Sequence, residues 1–288
     1  MHVRAPEGLE SPPCVLCGSE RHRREFGKAS ARGEEFTLVR CAECGLRFVS
    51  PRPTAEEIGK YYGSSYFTSR TDRGYDNYFS DTIKNEVTRV LALNLADLGF
   101  FEYERSLPAP RRCLDIGCAA GYSVLYMKER GWLAGGIDIA GECVHHGRDA
   151  LGLDLSEGDY LAARYDFPFH LITLWATIEH LHRPDLVVRK IRADLDPGGM
   201  AYISTCRAGG FMKFFGRNWR YYNFPEHLYY FTFHQLKRLL EREGFTVERR
   251  AFYGSGVGRA GSRLRKGSDW AAKRLQMGDM MILAARRR

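Results

Sequence analysis

The chain contains 288 residues, of which 44% are hydrophobic and 27% are charged, a composition typical of globular proteins. This length predicts one large domain, or one domain with a smaller appendage. No apolar run reaches the roughly 18 residues that a membrane-spanning helix needs. The amino-terminal stretch is polar and proline-rich, unlike a secretory signal peptide, and we therefore expect a cytoplasmic protein.

The net charge of +8 is concentrated near the carboxyl end, where residues 259–288 hold nine Lys/Arg and only two acidic residues. We expect a solvated basic helix over 259–275. Contact with a membrane surface or an acidic carrier protein is the alternative role of such a helix. Nucleic-acid enzymes more often carry a basic stripe on the catalytic domain, so nucleic acid is a disfavoured partner.

Four of the eight cysteines form two CxxC pairs, Cys14/Cys17 and Cys41/Cys44, and a glycine follows each pair. Such a turn places two thiolates on one side of a tight loop, and four thiolates suit tetrahedral Zn²⁺. Because a four-cysteine site has no open coordination position, we predict a structural zinc ribbon over residues 1–53. A redox pair is the alternative, and it would need only one CxxC beside a helix start.

Residues 54–110 are predicted to form a helical cap and a linker. Thr54 and Glu57 have the spacing of a capping box, which predicts a helix over 54–62. Apolar residues at helical spacing predict a second helix over 78–98. A stretch with two prolines at 107–110 then leads into the next domain.

Residues 111–288 alternate short apolar runs with amphipathic stretches, which predicts a parallel sheet covered by helices on both faces. The predicted strands are 112–116, 133–139, one ending near 159, 171–175, 200–204, 244–248 and 278–285. Ligands of such α/β sheets bind beyond the carboxyl ends of the strands. The first strand ends at that edge in a glycine-rich turn.

This turn has the pattern Asp-x-Gly-x-Ala-x-Gly, from Asp115 to Gly121, and its glycines allow the backbone to approach a ligand closely. Nucleotide-binding folds share such turns, so the turn alone has low specificity. Asp138 ends the second strand, where an acidic side chain accepts hydrogen bonds from ribose hydroxyls. Asp115 would repel a diphosphate, which disfavours a nicotinamide dinucleotide.

Residues 111–205 resemble the class I S-adenosylmethionine-dependent methyltransferases, whose Rossmann-like sheet has seven strands and ends in an antiparallel hairpin. The stretches 174–181 and 195–199 resemble the branch of ubiquinone-biosynthesis O-methyltransferases. Zinc-ribbon-bearing relatives of that branch share the patterns over 41–53 and 225–228. The resemblance implies S-adenosylmethionine as the cofactor.

The resemblance also implies a cofactor site, position by position. It comprises Asp115 and the backbone of Gly117 and Gly121 at the methionine part, Cys118 in the same turn, Asp138 at the ribose, Ile139 on the adenine, Asp159 and Tyr160 at the adenine edge, and Trp175 beside the methionine end. Ubiquinone-type enzymes carry Glu-x-x-Glu-His as a proposed metal site. Here Ala176 replaces the first glutamate, so only two ligands remain and we expect no catalytic metal.

Methyl transfer to oxygen or carbon usually requires removal of a proton, and histidine is the natural base near neutral pH. The candidate catalytic residues are Glu179 and His180, just after the fourth strand, and His227. His227 lies in an aromatic insertion over 207–231 that is expected to cover the acceptor. Either histidine could instead have a structural role. Six aromatic residues of the insertion either line an apolar acceptor pocket or pack as the core of a lid: Phe211, Phe214, Phe215, Trp219, Tyr221 and Tyr222. Tyr61, Tyr62 and Tyr66 are expected to fold over the cofactor or the acceptor.

The sequence therefore predicts an S-adenosylmethionine-dependent methyltransferase that O-methylates a small-molecule acceptor of natural-product or cell-envelope metabolism, with a histidine general base. The alternative is an RNA methyltransferase that grips nucleic acid with the ribbon, although acidic residues offset the basic ones there. A third hypothesis is a non-catalytic binding module. The intact turn glycines, together with Asp115 and Asp138, argue against it.

Overall fold

The computed structural model describes residues 7–62, 67, 77–210, 212–254 and 263–288. Tyr66 and Phe211, two of the candidate acceptor-site aromatics, lie outside the described residues. Within these ranges the strands form sheets of seven, four and two strands. Nowhere in the described chain is there a helix long and apolar enough to cross a membrane.

The amino-terminal segment folds into short strands around the two CxxCG turns. They are β1 (Leu9–Glu10), β2 (His22–Ala29), β3 (Glu35–Cys41), β4 (Arg47–Val49) and β5 (Arg52–Pro53). β2, β3 and β4 form an antiparallel sheet, and β1 pairs with β5. Leu46 and Phe48 are fully buried in the same apolar cluster as Leu114 and Ile116. The ribbon therefore shares its core with the main domain.

Residues 54–62 do not form the α-helix that the capping box predicts. A turn leads into one 3₁₀ turn at Ile58–Tyr61, and no side-chain cap precedes it. The backbone carbonyl of Thr54 accepts hydrogen bonds from the amides of Glu57 and Ile58. The prediction of an α-helix is wrong because the next amides, of Lys60 and Tyr62, donate to the carbonyls three residues earlier, which is the 3₁₀ pattern.

Two α-helices follow, α1 (Asp81–Asp97) and α2 (Phe100–Ser106). α1 confirms the helix predicted over 78–98. It begins after Ser80, whose hydroxyl accepts a hydrogen bond from the amide of Ile83, a standard N-cap. Leu91 and Leu95 on α1 are buried together with Phe100 of α2 against the main sheet.

The rest of the chain forms the predicted α/β domain. Its strands are β6 (Arg112–Ile116), β7 (Leu133–Asp138), β8 (Asp154–Glu157), β9 (Phe169–Trp175), β10 (Leu195–Cys206), β11 (Tyr229–Tyr230), β12 (Phe245–Tyr253) and β13 (Met280–Arg287). Its helices are α3 (Tyr122–Glu129), α4 (Gly141–Leu151), α5 (Pro184–Asp194), α6 (Met212–Phe215), α7 (Phe233–Arg242) and α8 (Arg263–Arg274).

The strand order of the large sheet is β12-β13-β10-β9-β6-β7-β8. The pairs among β6 to β10 are parallel, whereas β13 runs antiparallel to both of its neighbours. This arrangement confirms the Rossmann-like seven-stranded sheet with a terminal antiparallel hairpin. The carboxyl ends of β6, β7 and β9 bring Asp115, Asp138 and Trp175 to one edge, where α/β sheets bind ligands.

β11 lies outside the large sheet and pairs antiparallel with β4 of the ribbon. The insertion over 207–231 therefore returns to the amino-terminal segment after leaving β10. At the other end of the chain, Trp270 and Leu275 of the basic helical region are 70% and 65% exposed. Contact of α8 with a membrane surface or a carrier stays a prediction.

Candidate active site

The glycine-rich turn between β6 and α3 adopts a conformation that depends on its glycines. Gly117 and Gly121 have φ angles of +71° and +79°, in the left-handed region that favours glycine. A Cβ on Gly117 would lie 2.4 Å from the Cγ2 of Thr177. Ala119 also has a positive φ, of 47°. Three residues of the turn thus lie in the left-handed region.

Asp138 at the end of β7 holds this turn from the side. Its Oδ2 accepts a 2.7 Å hydrogen bond from the amide of Ala119, and its Oδ1 accepts a 2.8 Å bond from the amide of Ala140. Burial raises the pKa of this carboxyl, and the backbone amides oppose the shift. The residue predicted to bind ribose therefore also fixes the loop on which the cofactor would rest.

Asp115, the acidic residue of the turn, has only 4% of its surface exposed. Its Oδ1 accepts a 2.6 Å hydrogen bond from the hydroxyl of Thr173 on β9. Burial raises the pKa of Asp115 to about 7, although hydrogen bonds from Thr173 and Ser123 act in the opposite direction. A cation bound beside it would favour its charged form.

Three other predicted cofactor residues lie along the same edge and differ in solvent exposure and hydrogen bonding. Ile139 is 58% exposed just beyond β7, and Asp159 is exposed and accepts a hydrogen bond from the amide of Leu161. Trp175 is half-buried and donates through its indole to the hydroxyl of Ser123 at 3.1 Å. Ile139 and Trp175 thus offer apolar surface at the edge of the sheet.

Two of the predicted cofactor residues turn their side chains away from this edge. Tyr160 is 4% exposed, and its hydroxyl donates to Asp194 at 2.7 Å. Cys118 is buried, and a Cβ on Gly136 would lie 2.7 Å from its sulfur. Both side chains belong to the core, so the assignment of these residues to the cofactor stays a prediction that rests on their backbone groups.

Glu179, His180 and His227 form one cluster beyond the end of β9. One nitrogen or oxygen from each side chain lies within 4.8 Å of those from the other two. The two imidazole rings pack edge to face, with 4.6 Å between their centroids. A backbone hydrogen bond from the amide of Leu228 to the carbonyl of Glu179 holds the two chain segments together. The three candidate catalytic residues are therefore neighbours.

Each histidine has a defined partner at its Nδ1. The Nδ1 of His227 lies 2.9 Å from the carbonyl oxygen of Tyr221, so this nitrogen donates, and in the neutral ring Nε2 carries the lone pair. The Nδ1 of His180 lies 2.9 Å from the hydroxyl of Tyr62. His227 is 5% exposed and His180 is half-buried. The tautomer of His227 is the one that a general base at Nε2 requires.

The carboxyl group of Glu179 is 1% exposed. Its Oε1 lies 3.4 Å from the amide of Cys206, and its Oε2 has no hydrogen-bond partner among the described residues. Burial raises the pKa of Glu179 to about 7. Two imidazoles and one carboxylate are a donor set that divalent metals accept. The sequence pattern predicts two ligands here, and the position of His227 raises that number to three.

The aromatic residues of the insertion divide into two groups. Trp219 and Tyr222 are buried in an apolar cluster with Phe36 of β3, and the indole of Trp219 donates to Asp279 at 2.9 Å. Phe214, in contrast, is 74% exposed. The buried members pack the insertion onto the ribbon, whereas the side chain of Phe214 belongs to no such core.

The four cysteines of the ribbon also come together. The sulfur atoms of Cys14 and Cys44 are 3.4 Å apart, those of Cys17 and Cys41 are 3.5 Å apart, and all four lie within 4.8 Å of one another. Tetrahedral coordination with Zn–S bonds of about 2.3 Å sets sulfur atoms at about 3.8 Å. The cluster therefore has the residue types and approximate spacing of a four-cysteine zinc site.

Comparison with known proteins agrees with this geometry. A methyltransferase domain family matches residues 84–249, more than half of the chain. The chain belongs to this methyltransferase family. Together with similar curated proteins and solved structures, the match confirms a class I S-adenosylmethionine-dependent methyltransferase that resembles the ubiquinone branch.

Among curated relatives, the ubiquinone biosynthesis O-methyltransferase of Idiomarina loihiensis is 28% identical over 120 residues, covering 39% of this chain and 49% of the relative. The enzyme of the same name from Xanthomonas axonopodis is 30% identical over 105 residues, covering 34% and 44%. The chain thus spans about half the length of the curated relatives it matches.

Two solved structures show the shared methyltransferase fold. A methyltransferase from Archaeoglobus fulgidus that depends on S-adenosylmethionine aligns with a TM-score of 0.52 at 17% identity, covering 71% of this chain and 94% of that one. The [4+2]-cyclase SpnF aligns with a TM-score of 0.56 at 21% identity, covering 82% and 97%. Because one of these proteins is named a cyclase, the fold alone does not define the reaction.

Replacing Gly117 with alanine tests whether the methyltransferase turn binds the cofactor. The new Cβ would strain a positive φ and collide with Thr177, so we expect unfolding to become easier by about 1–3 kcal/mol and S-adenosylmethionine to bind more weakly. Gly131 is the matched control, because its φ is +83° but a Cβ there meets nothing within 4 Å. Chemical denaturation and calorimetric titration measure both effects. Unchanged affinity in Gly117→Ala would place the cofactor elsewhere.

Proposed function

We propose that this protein transfers the methyl group of S-adenosylmethionine to a hydroxyl oxygen of a small-molecule acceptor, with His227 as the general base. One observation carries the proposal. The side chain of Thr177 packs against Gly117 of the cofactor turn, and the Glu179–His180–His227 cluster begins two residues later. The cofactor turn and the candidate base are thus joined at one edge of the sheet.

The chemistry requires alignment and removal of one proton. Bound S-adenosylmethionine supplies an electrophilic methyl group on its sulfonium sulfur. The Nε2 of His227 accepts the acceptor's hydroxyl proton while the new carbon–oxygen bond forms and the carbon–sulfur bond breaks. The carbonyl of Tyr221 holds the imidazole by its Nδ1–H and stabilises the imidazolium that results. His180, fixed by Tyr62, orients the acceptor.

The names of the curated relatives support an oxygen acceptor, since those proteins are O-methyltransferases. The charges of the ribbon support a small molecule over RNA. Arg21 pairs with Glu43, and Arg47 pairs with Glu25 at 2.8 Å. The carboxylates that pair with these arginines would compete with the phosphates of RNA for the same guanidinium groups. The natural-product or cell-envelope origin of the acceptor stays a prediction.

The test is a methyl-transfer assay on the full chain with radiolabelled S-adenosylmethionine. Phenolic and aliphatic alcohols, matched amines and total RNA serve as acceptors. The proposal expects label in one of the alcohols and none in RNA. Label that enters only amines would overturn the assignment to oxygen, and label in RNA with a steep dependence of binding on salt would favour the RNA alternative.

A metal-assisted mechanism is the second candidate, because the unpartnered Oε2 of Glu179 lies with two imidazoles. A divalent ion held by Glu179, His180 and His227 would polarise the acceptor oxygen. This candidate predicts that the protein binds one Mn²⁺ in addition to the ribbon metal, and that Glu179→Gln loses it. Paramagnetic resonance measures the binding, with the exposed Glu56→Gln as control. If the wild-type protein bound no Mn²⁺ beyond the ribbon metal, the metal-assisted mechanism would be excluded and the metal-free mechanism would stand.

We also propose that the four-cysteine cluster binds a structural zinc ion. The cysteines fit the ion in number, type and approximate spacing. Four protein thiolates fill the coordination sphere, so the ion would stabilise the ribbon and would not bind the acceptor. Elemental analysis of the purified protein tests this assignment, which expects one zinc per chain.

A further inference from the structure

The last strands of the ribbon contact both chain segments that carry the histidines. On one side, the amide of Val49 donates to the carbonyl of Leu228 at 2.9 Å, directly after His227. On the other side, the Nε2 of His182 lies 2.9 Å from the carbonyl oxygen of Pro53, two residues after His180. The ribbon thus holds both segments by polar contacts within two residues of each histidine.

Arg52 of β5 joins these two attachments through one side chain. Its Nη2 donates to the carbonyl of His182 at 3.0 Å, and its guanidinium lies 5.1 Å from the centroid of the Tyr229 ring. The hydroxyl of Tyr229 donates to the same carbonyl of His182 at 3.2 Å. Glu10 balances the charge, accepting from the Nε at 2.7 Å. One guanidinium therefore fixes the distance between the two histidine segments.

The burial of Arg52 is unusual for a residue with only a packing role. Its side chain is 1% exposed, and its Nη1 has no hydrogen-bond partner among the described residues. Removing an arginine from water is unfavourable, and an apolar side chain of similar volume often packs as well or better. The directional contacts of the guanidinium explain why an arginine at this position is useful.

The cysteine cluster fixes the strand that precedes Arg52. The turn that carries Cys41 and Cys44 leads directly into β4, and the amide of Cys41 donates to the carbonyl of Leu46 at 2.8 Å. The carbonyl of Cys44 accepts a 3.1 Å hydrogen bond from Gln235 on α7. A metal held by these cysteines would therefore set where β4 and β5 lie against the main domain.

We propose that Arg52 is a positioning residue for His180 and His227, and that the ribbon cluster acts through it to support methyl transfer. The inference rests on the proposed function, in which these histidines act on the acceptor. Loss of the ribbon metal would then lower turnover while the turn from Asp115 to Gly121 still binds the cofactor. Removal of zinc would therefore stop methyl transfer but would leave the affinity for S-adenosylmethionine unchanged.

The test compares Arg52→Gln and Arg52→Lys in the full chain with Arg47→Gln, whose side chain pairs with Glu25 within the ribbon. We expect Arg52→Gln to lower kcat about 10- to 100-fold with a Kd for S-adenosylmethionine within twofold of wild type. Arg52→Lys keeps the charge and one donating nitrogen but not the planar fork, so we expect an intermediate kcat. Arg47→Gln should keep the wild-type kcat.

A spectroscopic measurement separates this inference from the proposed function. The imidazole ¹H–¹⁵N signals of His180 and His227 report ring position without any acceptor, so they are informative even if no substrate is found. We expect both signals to shift in Arg52→Gln and after chelation of the ribbon metal, but not in Arg47→Gln. Unchanged signals in Arg52→Gln, or equal loss of kcat and cofactor affinity, would overturn the positioning role.

Discussion

Replacing His227 with glutamine is expected to lower kcat by about 10²- to 10⁴-fold, the range that a general base contributes. Glutamine fills similar space and can still donate to the carbonyl of Tyr221, but it cannot accept the acceptor's proton at neutral pH. Cofactor binding should change little, because the cofactor turn lies on the other side of Thr177. Steady-state kinetics with calorimetric titration of S-adenosylmethionine measures both quantities.

The matched control for this variant is His180→Gln. His180 shares the cluster but has the hydroxyl of Tyr62 at its Nδ1, so we expect a larger change in KM for the acceptor than in kcat. The acidic limb of the pH profile of kcat should disappear in His227→Gln and persist in His180→Gln. A kcat that falls equally in both variants, with identical pH profiles, would contradict the separate roles.

The central strands were predictable because burial on both faces requires continuous apolar runs. The first strand was predicted at 112–116, and β6 occupies Arg112–Ile116. β10 was predicted at 200–204 but extends over Leu195–Cys206. The stretch Asp196-Pro197-Gly198-Gly199 reads as a turn, yet Leu195 pairs with Phe169 across an irregular register. Regular pairing with β9 resumes only at Met200, and Gly198 has a φ of +75°. The turn residues therefore form an irregularity within the strand, and the sequence predicts its regular part.

The proximity of His227 to His180 could not be predicted from the sequence. The two residues are separated by 46 others, and their contact depends on β11, a strand of only two residues that pairs with the ribbon. So short a strand has no periodicity to detect. The contacts of Arg52 could not be predicted either, because its partners His182 and Tyr229 are distant along the chain.

The placement of the acidic residues at the candidate cofactor edge was predictable, but the hydrogen-bond partners of the side chains there were not. The spacing of Asp115 and Asp138 places both carboxylates at strand ends. Nothing in the pattern indicates that Asp138 accepts a hydrogen bond from the amide of Ala119, or that the hydroxyl of Tyr160 donates one to Asp194. Such bonds depend on side-chain geometry across elements, and a glycine pattern carries no information about it.

The second large effect is expected from Asp115→Asn, which should weaken S-adenosylmethionine binding about 10- to 100-fold. A charge-assisted hydrogen bond from the cofactor's ammonium group would be worth about 1.5–3 kcal/mol, and the amide cannot supply it. The asparagine carbonyl can still accept from Thr173, so the fold should be kept. Calorimetric titration of both proteins measures the difference, with wild-type thermal unfolding as the reference for folding.

The dependence on pH distinguishes a cofactor-binding carboxylate from a structural one. Burial raises the pKa of Asp115 to about 7 from the ordinary value of 3.8, so the folded protein without cofactor retains a proton that the unfolded chain releases between these values. This contribution to stability is present at low pH and is lost as pH rises towards 7. A bound ammonium reverses the preference, so cofactor affinity should rise with pH up to about 7 and binding should release protons.

Asp115→Asn should remove both trends together. Its stability without cofactor should depend less on pH between 4 and 7 than that of the wild type, and its affinity should be low at every pH. Titrations in buffers of different ionisation enthalpy count the protons released. If wild-type binding released no protons near pH 7 and Asp115→Asn bound normally, Asp115 would serve the fold alone. The cation would then have to be held by another group at the edge formed by β6, β7 and β9.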